Sequence, residues 1–299
     1  MKSRYKIIGI GEILWDVLPN GKQLGGAPAN FAYMTSLLGN EGIVASRVGI
    51  DRLGQETLSM MASLGLSTEF VQDDNSHSTG TAVVHVDVGG QPKFTITPNV
   101  AWDFLEWTDS WSRLAQSADV VCFGSLGQRN PISRETIGKF LRVAPDDALR
   151  VFDVNLRQNF FSAELLRDSL SLAQIVKLNH EEIPVVTQML GVPFVDYEHA
   201  SRQLLKTFGL KLVCVTCGGE GSLLVTPSST SRHKGFPIKV ADTVGAGDAF
   251  TACMVHHFLR GTKLHQINES ANRFAAWVAS QPGATPPRDE MVLKEVLTA

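Results

Sequence analysis

The seven residues Asp242-Thr-Val-Gly-Ala-Gly-Asp248 combine what a phosphoryl transfer asks of a protein: bare backbone amides, open space beside them, and a carboxylate. They stand before Phe250, Met254 and Phe258, apolar at helical spacing, and the run stops at Gly261, which predicts a helix over 248–260. The first N–H groups of a helix lack internal partners and carry the positive end of its dipole. Gly245, Ala246 and Gly247 would let an anion approach those groups. Asp248, in the first turn, could then take the proton of a hydroxyl attacking a phosphate. The same spacing also describes a Gly-rich turn with Asp248 as a helix cap, and spacing leaves both readings open.

Four other segments carry similar choices. Gly25-Gly-Ala-Pro-Ala-Asn30 leads into a helical pattern over 28–38; the Asn30 amide could donate to and accept from sugar hydroxyls, or the segment is an ordinary turn. Asn179-His-Glu-Glu182 lies where a strand passes into a helix, and its oxygens suit Mg²⁺ held through water and nucleotide phosphates or, equally, a helix cap. Thr216-Cys-Gly-Gly-Glu-Gly221 follows a strand; its glycines allow a backbone to lie against a nucleotide or to close a tight hairpin onto 222–226. Asp153-Val-Asn-Leu-Arg157 ends another strand, where open α/β sheets bind ligands, and Arg157 could meet an anion or form a salt bridge. Cys214 and Cys217, at odd spacing inside the strand before the glycines of 218–221 and without a second pair, read as buried structural thiols on opposite faces rather than zinc ligands.

The elements that must position these groups alternate. Short apolar runs at 6–11, 43–49, 119–126, 150–156, 175–179 and 211–216 are separated by helical patterns, which predicts an α/β fold with a largely parallel sheet covered on both faces. One region breaks the alternation: 81–88 and 93–97 read as a β-hairpin turning at Gly89-Gly90, a candidate flap. No linker divides the 299 residues, so one domain over 1–299 with a β appendage is expected.

Composition removes several classes. With 27 Lys+Arg against 30 Asp+Glu the chain has no electrostatic footprint for nucleic acid, and no apolar stretch is long enough for a membrane helix. Four cysteines form no disulfide framework in a chain of this length, and the N-terminus shows no secretory pattern; a cytoplasmic protein is expected. There is no P-loop, and Gly9-Ile-Gly11 meets Leu14 where a dinucleotide fingerprint needs glycine.

Residues 25–39 followed by Gly49, and 242–255, resemble the two signatures of the ribokinase-like (PfkB) carbohydrate kinases, in family order, and the resemblance runs from Gly11-Glu12 to Gly283. It implies a three-layer α/β/α sandwich with a small β-sheet lid, built from about 13–25 and 80–99, and ATP-dependent phosphorylation of a sugar hydroxyl. By the same resemblance Asp248 is the catalytic base and Gly245, Ala246 and Gly247 its anion hole. Asp16, Gly26, Asn30, Gln128 and Arg157 would bind substrate. Asn179, Thr216, Gly218, Gly221 and Asn272 would bind the nucleotide, with Glu182 toward Mg²⁺. Asp242 and the Val244 carbonyl would hold a monovalent cation, K⁺. The segments around Asp16, Asn30, Gln128 and Arg157 look most like bacterial fructokinases, with transfer to the primary hydroxyl of D-fructose. Arg157 is equally where 2-keto-3-deoxygluconate kinases clamp a carboxylate; a nucleoside kinase or a non-catalytic sugar-binding protein are further alternatives. Ala27-Pro28, where ribokinases carry Lys-Gly, argues against ribose. A homodimer through the lid is left open.

Overall fold

The structure, a computed structural model, describes residues 2–18, 21–86 and 92–298. Its strands are β1 Lys6–Ile10, β2 Leu14–Leu18, β3 Gly21–Gly25, β4 Glu41–Gly49, β5 Val71–Asp74, β6 Gly80–Val86, β7 Pro92–Ile96, β8 Val120–Gly124, β9 Leu149–Asp153, β10 Ile175–Asn179, β11 Leu212–Thr216, β12 Ser222–Val225 and β13 Thr230–His233. Its α-helices are α1 Ala27–Leu37, α2 Arg52–Ser63, α3 Asp109–Gln116, α4 Pro131–Val143, α5 Ala163–Leu172, α6 Glu182–Leu190, α7 Tyr197–Phe208, α8 Ala246–Leu259, α9 Leu264–Ala279 and α10 Glu290–Leu297.

Near-continuous apolar strands need cover on both faces, and they have it. The large sheet runs β13-β12-β11-β10-β9-β8-β1-β4-β5, parallel from β11 to β5 and antiparallel at β12 and β13. Successive side chains of a strand enter opposite cores: Ile7 packs with α1, α8 and α9, while Ile8 and Ile10 pack with the α3–α7 side. This is the expected three-layer ribokinase-like α/β/α sandwich.

A second sheet, ordered β3-β2-β6-β7, stands apart from the first, its β2–β6 pair parallel and its outer pairs antiparallel. Trp15 fastens it to α2: the buried indole N–H lies 2.9 Å from the Thr57 hydroxyl and 3.1 Å from the Leu53 carbonyl. The β6–β7 pairing is the expected hairpin; the proposed Gly89-Gly90 turn lies outside the described residues.

Helix α1 lies very close to the large sheet. A side chain on Gly9 would run into the backbone of Pro28, and one on Gly42 into the Ala32 carbonyl, so two glycines set the height of this helix above β1 and β4. Helix α8 packs between α1 and α9. It begins at Ala246, two residues before the expected start, which makes Asp248 its third residue rather than its cap.

Candidate active site

The carboxyl ends of the parallel strands and the inner face of the small sheet enclose a cleft of about 730 Å³. Asp16, Ala82 and Ile96 face it from the small sheet, Asn155 and Arg157 from beyond β9, Asn179 from the end of β10, Thr216 and Gly218 from the end of β11, and Asn272, Ala276 and Ala279 from α9. The 245–248 segment forms its floor. Segments far apart in sequence thus meet in one place.

Gly245 caps α8 with a left-handed backbone (φ 80°), and a Cβ there would come within 2.7 Å of the Ala284 carbonyl, so the cap demands glycine twice over. Among the described residues, the Gly245, Gly247 and Asp248 N–H groups meet no acceptor. The Ala246 N–H differs from expectation: it donates to the Thr243 carbonyl at 3.3 Å, closing the turn. The open amides are therefore those of Gly245, Gly247 and Asp248.

Asn30, expected to hold sugar, lies inside α1 and donates from Nδ2 to Asp248 Oδ2 at 2.8 Å. Behind Gly247 stands a group the sequence reading missed. Lys177 Nζ bonds Asp153 Oδ1 at 3.0 Å and lies 3.1 Å from where a Cβ on Gly247 would be. Thr251 completes the cluster, its hydroxyl lying 2.9 Å from Asp153 Oδ2 and 3.0 Å from the Gly247 carbonyl, which share its one proton. A buried lysine needs a partner, and a cation inside the apolar β10 run was the one signal available in sequence.

Burial pushes the Asp248 carboxyl up to about 7; the Asp153 charge pushes the same way, while Asn30, Lys177 and Arg157 pull it down. Lys177 stays charged: burial alone would lower its pKa, but Asp153 and Glu182 more than offset this and raise it. Burial also raises Asp16, against the pull of Arg157. Arg157 itself is exposed, and among the described residues its Nη1 donates to the adjacent Leu156 carbonyl. Two non-glycine residues with left-handed backbones bracket it, Asn155 (φ 44°) and Gln158 (φ 50°), as strained loops at binding sites often do.

Several expected roles change. Gln128 does not line the cleft; it is buried, and its Nε2 donates to the Gly124 carbonyl at 2.8 Å and Ser169 Oγ at 3.0 Å, fixing the end of β8 to α5. Gln128→Ala should therefore lower thermal stability, by about 1–3 kcal/mol for a broken buried bond, and leave the KM for substrate unchanged. A raised KM without a lower melting temperature would return Gln128 to the substrate site.

Glu182 accepts the Leu156 and Asn179 amides, both at 2.8 Å, and Asn179 Oδ1 accepts the Glu181 and Glu182 amides. This pair is a reciprocal helix cap, with both carboxylate oxygens already taken. Asp242 accepts the Val244 amide at 3.0 Å and the Gly283 amide at 3.3 Å, so in this structure it ties two loops together, and Val244 is exposed beside it. Gly221 is glycine because a Cβ would strike the His233 carbonyl of β13, a packing reason rather than a nucleotide one. Asn272 lines the cleft, yet its Nδ2 is held by Ser222 Oγ at 2.7 Å and by Asn268. Cys214 is buried, whereas Cys217 is only half-buried. Among the described residues no group of three or more His, Cys, Asp or Glu could hold a metal ion, and no helix is long and apolar enough to cross a membrane.

A doubly covered parallel sheet brings an open helix N-terminus and the half-buried carboxylate of Asp248 together at the carboxyl ends of its strands. The sequence pattern described as pfkB family carbohydrate kinase matches residues 17–291, and the chain belongs to that family. The chain is 30% identical to the sugar kinase PH1459 of Pyrococcus horikoshii over 96% of its length and 94% of the relative's; a crystal structure of that protein superimposes with a TM-score of 0.83. It is 28% identical to a fructokinase of Vibrio alginolyticus, covering 92% of each chain. The crystal structure of a Xylella fastidiosa fructokinase with bound ATP is 25% identical, with a TM-score of 0.83 over 98% of this chain and 97% of the other.

Proposed function

We propose that this protein transfers the γ-phosphate of ATP to the primary hydroxyl of a sugar, forming fructose 6-phosphate from D-fructose. One observation carries the reading: Asp248, held by Asn30, lies at the open amides of α8 with the Lys177 ammonium behind them, all in one cleft. Asp16 bonds sugar hydroxyls from the small sheet, which acts as the lid that excludes water. Asp248 takes the proton of the attacking hydroxyl. The Gly245, Gly247 and Asp248 amides, with Lys177, offset the negative charge on the phosphoryl group in flight. Thr216, Gly218 and Asn272 form the wall along which the nucleotide lies.

Mg²⁺ suits this site only in the manner usual for nucleotide enzymes, held by phosphates and water. Asn179 and Glu182 would face its water shell, since their own oxygens are engaged by amides. Bound there, the ion neutralises phosphate charge.

Fructose is favoured by the fructokinase relatives. A second reading, a 2-keto-3-deoxy sugar acid, is favoured by Arg157, which is exposed in the cleft and pairs with no carboxylate among the described residues. ADP release with Mg²⁺–ATP over fructose, 2-keto-3-deoxygluconate, ribose, glucose and adenosine separates the readings. Fructose alone should turn over, and Arg157→Met should leave its KM within about a few-fold. Turnover of the acid instead, with KM raised roughly tenfold or more by Arg157→Met, would assign Arg157 as a carboxylate clamp.

A further inference from the structure

One buried ion pair has no part in the transfer, yet it joins two of the segments that wall the cleft. Arg129 follows the turn 126–128 after β8, and its side chain is 5% exposed. Its Nε and Nη2 donate to the two oxygens of Asp103, each at 2.7 Å, and Nη2 also donates to the Thr97 carbonyl at 2.5 Å. The planar fork thus serves two segments at once, which the point charge of a lysine cannot do. The guanidinium lies 4.0 Å from the centre of the Trp102 ring and 4.7 Å from that of Phe160. Nη1 has no hydrogen-bond partner among the described residues, and the two ring faces meet the charge instead.

The groups that Arg129 touches belong to different parts of the molecule. Trp102 and Asp103 are fixed to the body: the Trp102 carbonyl accepts from Ser133 of α4, and the Leu105 carbonyl from Thr136 of the same helix, both at 2.8 Å. Thr97 belongs to the small sheet. It follows Ile96 of β7, its amide donates to the Thr81 carbonyl of β6 at 2.9 Å, and the two threonine hydroxyls lie 2.8 Å apart. Gly80 opens β6, and a Cβ there would run into Trp102 Nε1 and approach the Ile13 carbonyl just before β2. Strands β2, β6 and β7 therefore enter or leave the small sheet beside one Trp102–Arg129 stack. Phe160 belongs to the opposite wall, its amide donating to the Arg157 carbonyl at 3.1 Å.

We propose that Arg129 is a positioning residue, a pin at the root of the small sheet that sets the angle of that sheet to the body and the place of the Arg157 loop. The width of the space between Asp16 and Ile96 on one side and Arg157 on the other follows from it. The proposal rests on the reading of the small sheet as the lid over the sugar. Among the described residues Arg129 is not part of the cleft lining, so it touches no reacting atom. The nucleotide wall, formed from the end of β11 and from α9, does not depend on it.

Arg129→Lys keeps a charge beside Asp103 and gives up the fork. With ADP release followed against the panel sugar that turns over and against ATP in turn, the KM for sugar should rise about tenfold, with the KM for ATP within about twofold. Equal changes in both values, or none, overturn the proposal. Phe160→Leu removes one ring and no charge, and should raise the KM for sugar about threefold. It decides the matter if Arg129→Lys does not fold, and an unchanged KM for sugar there counts equally against the pin. Hydrogen exchange, which needs no turnover, separates the pin from the reaction. In whichever of the two variants folds, the amides of β6 and β7 should exchange severalfold faster than in the parent protein, with those of β8 to β11 unchanged. Unaltered exchange in the small sheet overturns the pin. A parent protein that phosphorylates no sugar, beside faster exchange in the variant, sinks the reading of the reaction and leaves the pin standing.

Discussion

Asp248→Asn lowers kcat by at least ~10²-fold, the lower end for loss of a general base, and at the same time makes the folded protein more resistant to heat above neutral pH. The first effect follows from removing the proton acceptor at the open amides of α8. The second follows from burial, which raises the Asp248 pKa to about 7, above that of the unfolded chain. Between the ordinary carboxylate range and about 7 the folded state retains a proton that the unfolded chain releases. The stability this contributes is complete at low pH and disappears as pH rises through 7. Asparagine carries no charge to desolvate, so its advantage should appear on the alkaline side of that window. Kinetics by ADP release and melting curves at about pH 5 and about pH 8 check both halves. Near-normal turnover removes Asp248 from the mechanism, and an equal melting temperature at both pH values removes the account of its pKa.

Lys177→Met should be the most damaging change outside the substrate-contacting groups. It leaves Asp153 buried without its ion-pair partner, a loss of roughly 3–5 kcal/mol, and Asp153 is 5% exposed. It also removes the cation that draws the Asp248 pKa down, so the acid limb of the rate should move to higher pH. A purely structural lysine is distinguished by the double variant Lys177→Met/Asp153→Leu. Matching two apolar side chains should return much of the stability but none of the rate. A double variant that recovers both would make the pair a packing device.

The large sheet was readable because its strands are buried on both faces, and unbroken runs such as Ile7–Ile10 and Leu212–Val215 leave few alternatives. Four strands escaped the periodicity. β3 exposes Gly21, Lys22 and Gln23, β5 is four residues with two aspartates, β13 is the polar run Thr-Ser-Arg-His, and β2 carries Asp16 toward the cleft, so none presents a clean apolar stripe. The 150–156 run was read too long because the chain leaves the sheet after Asp153 and turns at Asn155 with a positive φ.

At the site, Asp248 and its glycines were legible because helix entry, open amides and carboxylate are neighbours in sequence. Asn30 was legible as a polar group of the site, but its bond to Asp248 was not, since Asp248 lies 218 residues away and no local pattern records such a bond. Gln128 was misread for the converse reason: a polar residue just past a strand end looks the same whether it faces a cleft or is buried against Ser169 of a neighbouring helix.

The glycines beneath α1 bear on how the enzyme tolerates genetic change. Gly9 and Gly42 never approach the cleft chemistry, yet they fix how deep α1 rides, and α1 delivers Asn30 to Asp248. A random screen for inactive clones should therefore recover substitutions at these two positions alongside those at Asp248. Their products would be folded proteins whose defect is one of altitude: a helix raised by a methyl group, carrying its asparagine out of reach.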